Sequence, residues 1–288
     1  KEMAAALNER SYAWYIKGDL NKSTETLHKS IDLFKTINEP KNLAVIQSNL
    51  GSIYLEQKEY LKAFNSFNES LKIIRQENLK TSEARLLTNI GDIYNKLDEL
   101  DLAMDYYNDS EIICIAREIT KKNQIGSIYL KKSEIYFKKE LLDLSIEYSE
   151  KAVEELKKSN NKSNRSECYL LLAKSYNRLG KKEKAFNYLN KSLEIKSEIN
   201  NESEIIEALI LKSYFTLESN PTEAKKQAEK VLKLIKKETS NQIKADLYNL
   251  LYKCYKNSKQ SRLALSMFEK HSVYKDSLQL EKNKILII

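Results

Sequence analysis

A seven-residue stretch that returns forty positions later leaves few folds open to this chain. Ser48-Asn49-Leu50-Gly51-Ser52-Ile53-Tyr54 recurs as Thr88-Asn89-Ile90-Gly91-Asp92-Ile93-Tyr94. In each copy an alanine follows nine residues after the tyrosine, Ala63 and Ala103, and an aromatic four residues after that, Phe67 and Tyr107. A fixed period with the same residues at the same offsets marks a repeat architecture. Each unit of such an architecture buries its apolar face only by stacking on the next.

The period extends along the whole chain. Counting back ten residues from the aromatic puts repeat starts at Ala4, Ala44, Ala84, Gly126, Ser166, Ile205 and Ala245. The aromatics are Trp14, Tyr54, Tyr94, Tyr136, Tyr176, Phe215 and Tyr255. The small residue of the second helix is Ser23, Ala63, Ala103, Ser145, Ala185, Ala224 and Ala264, where two helices must approach closely. Lys132-Ser133 replaces Leu-Gly in repeat 4, and Lys212 and Tyr252 occupy the small position in repeats 6 and 7. Five Gly and two Pro leave few helix breakers. Gly18 suits a left-handed helix terminus, and Asp19 or Asn21 an N-cap. Asn38-Glu39-Pro40 ends a helix, and Asn220-Pro221 reads as a cap followed by a first-turn proline. Asn160-Asn161-Lys162-Ser163-Asn164 and Asn200-Asn201-Glu202-Ser203 read as linkers. The reading is an all-α solenoid of seven helix pairs over 1–270 without a domain boundary, then a capping or connecting helix over 271–288.

Composition excludes several classes of function. The net charge of +8 comes from 49 bases interspersed with 41 acids. No basic block stands beside aromatic platforms, so no nucleic-acid contact is expected. Cys114, Cys168 and Cys254 are scattered and read as small buried hydrophobes rather than a disulfide or zinc set. The two histidines, His28 and His271, sit at no metal or triad spacing, and His28 reads as a surface residue. No glycine-rich phosphate loop is present, so neither cofactor, metal nor catalysis is expected. The closing Ile285-Leu286-Ile287-Ile288 fits the first turn of a membrane helix continuing beyond it, or the end of an ordinary helix.

Leu-Gly-x-x-Tyr followed by Ala-x-x-x-Phe resembles the tetratricopeptide repeat, with a period near forty where about 34 is usual. The resemblance implies a right-handed superhelix of helix pairs whose first helices line a concave, peptide-binding face. Carried onto this sequence, the concave candidates are Asn49, Ser52, Arg85, Asn89, Asp92, Asn95, Lys131, Lys174, Asn177, Arg178 and Lys253. Asn8, Tyr12, Tyr15 and Glu56 stand on the same expected face. In long-repeat relatives such as kinesin light chains, an asparagine at the place of Asn49 and Asn89 grips a peptide backbone. A carboxamide has both a donor and an acceptor for one peptide unit. The chaperone-type carboxylate clamp is not matched, for want of its first lysine. Tyr274-Lys275-Asp276-Ser277-Leu278 resembles the junction of Bacteroidetes-type regulators, where repeats precede a membrane helix and an output domain. That likeness implies an extracytoplasmic sensor region with a membrane anchor beyond Ile288, and an unpaired terminal helix leaves room for a homodimer. The alternatives are a cytoplasmic peptide-pheromone receptor resembling the Rap family and a scaffold for multiprotein assembly.

Overall fold

The equal spacing of the turns sets the architecture. In the computed structural model, which describes the backbone of residues 1–116 and 122–286 and the side chains of all these but 80, 81, 122, 123 and 281–286, every element is helical. Fourteen helices are present among the described residues, and no strand. From α3 (Pro40–Glu56) through α4 (Tyr60–Gln76), α5 (Lys80–Lys96) and α6 (Leu100–Ala116), each helix has 17 residues. The same length returns in α7 (Lys122–Lys138), α8 (Leu142–Lys158), α9 (Lys162–Arg178) and α10 (Lys182–Glu198). The long period therefore lies in the helices. The expected linkers shrink to three residues, and Lys162–Asn164 and Glu202–Ser203 belong to first helical turns.

Among the described residues, every three-residue linker except 218–220 turns through one left-handed residue. Gly18 and Gly180 have φ of 78° and 72°, and Asn38, Asn78, Asn160 and Asn200 lie between 51° and 56°. Asparagine tolerates this region and glycine has no Cβ to clash, so both suit the position. Lys58, Asp98, Glu140 and Lys259 adopt it too. The turns close by paired backbone bonds, as where Gly18 N–H meets Tyr15 C=O at 2.9 Å and Asp19 N–H meets Trp14 C=O at 3.0 Å. Asp19 caps α2 (Leu20–Thr36), and Asn220 caps α12 (Pro221–Leu232), as their positions in the sequence suggest.

The chain forms two compact units. The first, Lys1–Ile128, holds α1 (Glu2–Ile16) to α6, with a core that includes Leu27, Phe34, Leu50, Phe67, Ile74, Leu86 and Ile93. Gly51 and Gly91 make room for the facing aromatic rings of its helix pairs. A Cβ on Gly51 would stand 2.6 Å from the Phe67 ring, and one on Gly91 the same distance from the Tyr107 ring. The Leu-Gly and Ala-x-x-x-Phe halves of the motif are thus two sides of one contact.

The second unit, Tyr129–Ile287, has one apolar cluster from the end of α7 to α11 (Glu202–Leu217) and another from α11 to α14 (Ser261–Leu286). Here Ser133, Ala173 and Ser213 are fully buried, each the twelfth residue of its helix. Ser213, not Lys212, is therefore the small residue of repeat 6. Phe215 falls one place before the usual aromatic position, which Thr216 fills. Repeat 6 also has a second helix of 12 residues, followed by turns up to the Ser240 cap of α13 (Asn241–Asn257). The segment from His271 continues α14 without a break. The side chains of the closing Ile285–Ile288 run lie outside the described residues. Among the described residues no helix is long and apolar enough to cross a membrane.

A second periodic device was not read from the sequence. Ser30, Ser70, Ser110 and Ser192 are fully buried on second helices. Their hydroxyls donate to the carbonyls of Ala4, Ala44, Ala84 and Ser166 at 2.7–2.9 Å, always 26 residues back. In the last repeat His271 takes the role, its Nδ1–H donating to the Ala245 carbonyl at 2.9 Å. Each bond pins the start of a first helix to the eleventh residue of its own partner helix.

Candidate functional site

Among the described residues, first helices of consecutive repeats stand side by side within each unit, and a groove opens between them in each. In the first unit α1 and α3 enclose about 270 Å³ lined by Asn8, Ser11, Tyr12, Tyr15, Asn49 and Ser52, with Ser23 and Ile53. Helical spacing brings Asn8, Tyr12 and Tyr15 onto one face of α1. Asn49 Nδ2 donates to Asn8 Oδ1 at 3.0 Å across the groove. That bond uses one carboxamide's donor and the other's acceptor. It leaves the amide hydrogens of Asn8 and the oxygen of Asn49 as the complement of one peptide unit. Tyr12 and Tyr15 stack at 6.2 Å with 20° between planes, and Tyr12 is 64% exposed. Tyr15 donates to Glu56 Oε1 at 2.5 Å. That bond, with burial and the Glu56 charge, pushes its pKa up to about 12 and holds it neutral.

In the second unit α9, α11 and α13 enclose about 320 Å³. Leu170, Ile210, Leu211 and Ile243 supply apolar walls, and Lys174, Glu207, Gln242 and Asp246 supply polar groups. Gln242 Nε2 donates to Asp246 Oδ2 at 3.0 Å. Tyr214 donates to the Asp246 carbonyl at 3.3 Å, and burial raises its pKa. Glu207 and Lys174 make no ion pair among the described residues. Much of the Glu207 side chain is exposed, yet its carboxyl sits against the apolar walls. That burial and the neighbouring Glu167 raise its pKa, while Lys174 and Lys196 oppose the rise.

Beneath this face lies a residue the sequence reading overlooked. Lys196 is fully buried at the end of α10 and pairs with Glu167 of α9 and, at 2.7 Å, with Glu204 of α11. The corresponding places in earlier repeats, 30 residues after each start, hold Phe34, Ile74, Cys114 and Leu156, all buried. A lysine at an otherwise apolar period position, flanked by acids one helix away on either side, was the available signal.

The other candidates divide by local partner. Asn49 and Ser52 share the first groove, although the Ser52 hydroxyl also turns back to the Ser48 carbonyl at 3.1 Å. Asn89 is half-buried one repeat further on, and Arg85 is exposed. Asp92 accepts from Tyr107 Oη at 2.7 Å and so anchors the ring that covers Gly91. Asn95 is buried. Lys131 lies 3.9 Å from Glu134. Lys174 lines the second groove, and Asn177 is half-buried nearby on α9. Arg178 forks onto both oxygens of Glu140, at 2.6 and 2.8 Å, and is committed to the turn. Lys253 stands 5.2 Å from the Tyr214 ring centre, a cation–π distance. His28 is exposed, as expected, and its ring also lies 2.9 Å from Tyr54 Oη and so bridges two repeats. All three cysteines are buried, and burial raises their pKa values, to about 11 for Cys114 and Cys254. No group of three or more His, Cys, Asp or Glu placed to hold a metal occurs among the described residues.

Comparisons with known proteins agree with this fold. The tetratricopeptide repeat profile matches residues 2–76, 42–111 and 124–198. No curated protein matches the chain by sequence. Among solved structures, the fold is similar to a tetratricopeptide repeat protein from Parabacteroides merdae, with 19% identity, all of both chains covered and a TM-score of 0.63. It is similar to aspartyl phosphate phosphatase F from Bacillus subtilis, with 15% identity over 93% of this chain and 69% of that one, TM-score 0.75. It is also similar to the Rap conjugation gene regulator of the plasmid pLS20 in complex with a Phr peptide, with 14% identity over 93% and 72%, TM-score 0.71. At these identities the likeness is one of fold.

Proposed function

Because this chain belongs to the tetratricopeptide repeat family, we propose that it is a non-enzymatic module that binds a protein or peptide segment along its first helices. The observation that carries this is the Asn8–Asn49 carboxamide pair in the groove between α1 and α3. Its remaining donors and acceptor match an extended backbone, and the Tyr12–Tyr15 stack beside it offers rigid, amphipathic contact area. The similar plasmid regulator carries a Phr peptide, which supports the same use of the fold. At the finer level, we propose that the chain is the sensor or interaction region of a bacterial signalling or transcriptional regulator. The Tyr274–Leu278 junction supports that reading.

A peptide array probed with the purified protein tests it, with the Asn8→Ala/Asn49→Ala double variant as control. Peptides bound by the wild type should lose about tenfold or more in affinity to the variant, corresponding to about 1.4 kcal/mol. Circular dichroism should remain unchanged, since both side chains are only half-buried. Hits retained undiminished by the variant would overturn the carboxamide assignment. Asn49→Ala combined with Asn89→Ala tests whether the second asparagine extends the same grip.

A further inference from the structure

We propose that the groove between α9, α11 and α13 takes an aliphatic side chain ending in a cation, a lysine or arginine of a bound peptide, with its stem on the apolar walls and its charge between Glu207 and Asp246. The inference rests on the peptide-binding reading and adds the chemistry of one residue of the ligand.

Charge complementarity supplies the first argument. The chain as a whole carries +8. Around this groove the balance inverts, because Glu167, Glu204, Glu207 and Asp246 face Lys174, Lys196 and Lys253. Lys196 is consumed by Glu167 and Glu204, and Lys253 stands over the Tyr214 ring. Lys174 then faces two carboxylates, and among the described residues neither it nor Glu207 forms an ion pair. An incoming cation completes that set, whereas an incoming carboxylate meets both acids.

Shape supplies the second argument. Leu170, Ile210, Leu211 and Ile243 form an apolar lining with carboxylates among them. A long side chain that buries its methylenes and keeps its charged end at a polar rim fits such a surface. The volume of about 320 Å³ holds a whole side chain of this size. Glu207, held with its carboxyl against apolar walls, gains a partner when the cation arrives. Gln242 already positions Asp246 by a hydrogen bond.

The test uses acetylated, amidated alanine-based octapeptides with one central Lys, Arg, norleucine or Glu, titrated into the full chain labelled at its Ile and Leu methyl groups. The Lys and Arg peptides should shift the methyl signals of Ile210 and Ile243. Norleucine should bind at least tenfold more weakly, and Glu should leave these signals in place. The Glu207→Gln/Asp246→Asn variant replaces two exposed side chains isosterically, and it should lose at least tenfold for Lys while retaining norleucine binding. Equal shifts from Lys and norleucine, no shift from Lys, or full Lys binding by the variant would overturn the inference. The Ile53 methyl in the first unit reports separately on backbone binding. If Ile53 responds to every peptide while Ile210 and Ile243 ignore the cation, the peptide reading stands and this inference falls. If Ile53 is also silent, both fall.

Discussion

The two grooves are built by the same kind of helix at the same kind of spacing, yet they differ in what they can recognise. The first unit's groove is lined by carboxamides, hydroxyls and tyrosines, without a formal charge. The second unit's groove sets Lys174, Glu207 and Asp246 among aliphatic walls. Neutral donors and acceptors suit a peptide backbone, which every sequence shares. Charges in a partly apolar groove suit one side chain, because electrostatic interactions strengthen where water is excluded. On the reading proposed above, one repeat scaffold separates grip from selection by exchanging a few positions of its first helices.

The contrast is sharpest below the surface, and the largest predicted effect lies there. Glu167→Gln with Glu204→Gln strands the Lys196 ammonium, which has no exposed side-chain surface. The second unit should lose about 3 kcal/mol. Native-state hydrogen exchange should report the loss in α9 to α11 and leave α1 to α6 unchanged. An equal loss in both units would erase the distinction drawn between them. Lys196→Met should be tolerated far better, since it places an apolar side chain where other repeats hold Phe34, Ile74 and Leu156.

Gly91→Ala is the matching lesion in the first unit. Its Cβ would overlap the Tyr107 ring, for a cost of about 2 kcal/mol by chemical denaturation. Adding Tyr107→Leu should recover part of that stability. No recovery would place the strain elsewhere. A smaller gain is expected from Lys259→Gly, because Lys259 holds φ at 56°. Glycine removes the left-handed penalty but loses more chain entropy, so thermal melting should show a gain below about 1 kcal/mol.

The smallest effect concerns pH. Glu207 has its pKa raised by burial, so the folded state holds its proton more tightly than the unfolded state does. Its contribution is therefore lost as pH rises from the ordinary carboxylate pKa through the raised value. Glu207→Gln should remove that slope and slightly stabilise the second unit at neutral pH, while weakening the groove for a cation. A stability profile of the variant identical to that of the wild type would leave the carboxyl without a folding cost.

Much of this fold is legible in the sequence because its repeating contacts are written as residue types at fixed offsets. Gly51 with Phe67, and Gly91 with Tyr107, appear as a motif before any coordinates. Gly18, Asp19 and Asn220 announce turns by local chemistry alone. Counting from the aromatic misplaces the register of repeat 6, because Phe215 sits one residue early, whereas burial follows Ser213. The linkers were drawn too long because asparagine is common both in turns and at helix caps, as Asn161 and Asn201 illustrate. Within the candidate site, Asn49 was legible from its place beside Leu-Gly. Its bond to Asn8 was not, since it spans 41 residues between different repeats. Asp92, Asn95 and Arg178 look like surface polar residues in one dimension. Their commitment to Tyr107, to burial and to Glu140 depends on neighbours that periodicity does not name.

The serine pins bear on how such a chain can grow. Ser30 and Ala4, Ser70 and Ala44, Ser110 and Ala84, Ser192 and Ser166 are each separated by 26 residues, so donor and acceptor lie inside one forty-residue segment. Duplicating that segment copies the bond whole, and a newly inserted repeat is internally fastened before it meets any neighbour. The Lys196 cluster has the opposite inheritance. It draws Glu204 from α11, the first helix of the next pair, so copying the α9–α10 pair alone would carry the lysine without its second acid. Contacts of the first kind can spread along an array by duplication, while those of the second kind must arise at one junction and stay there.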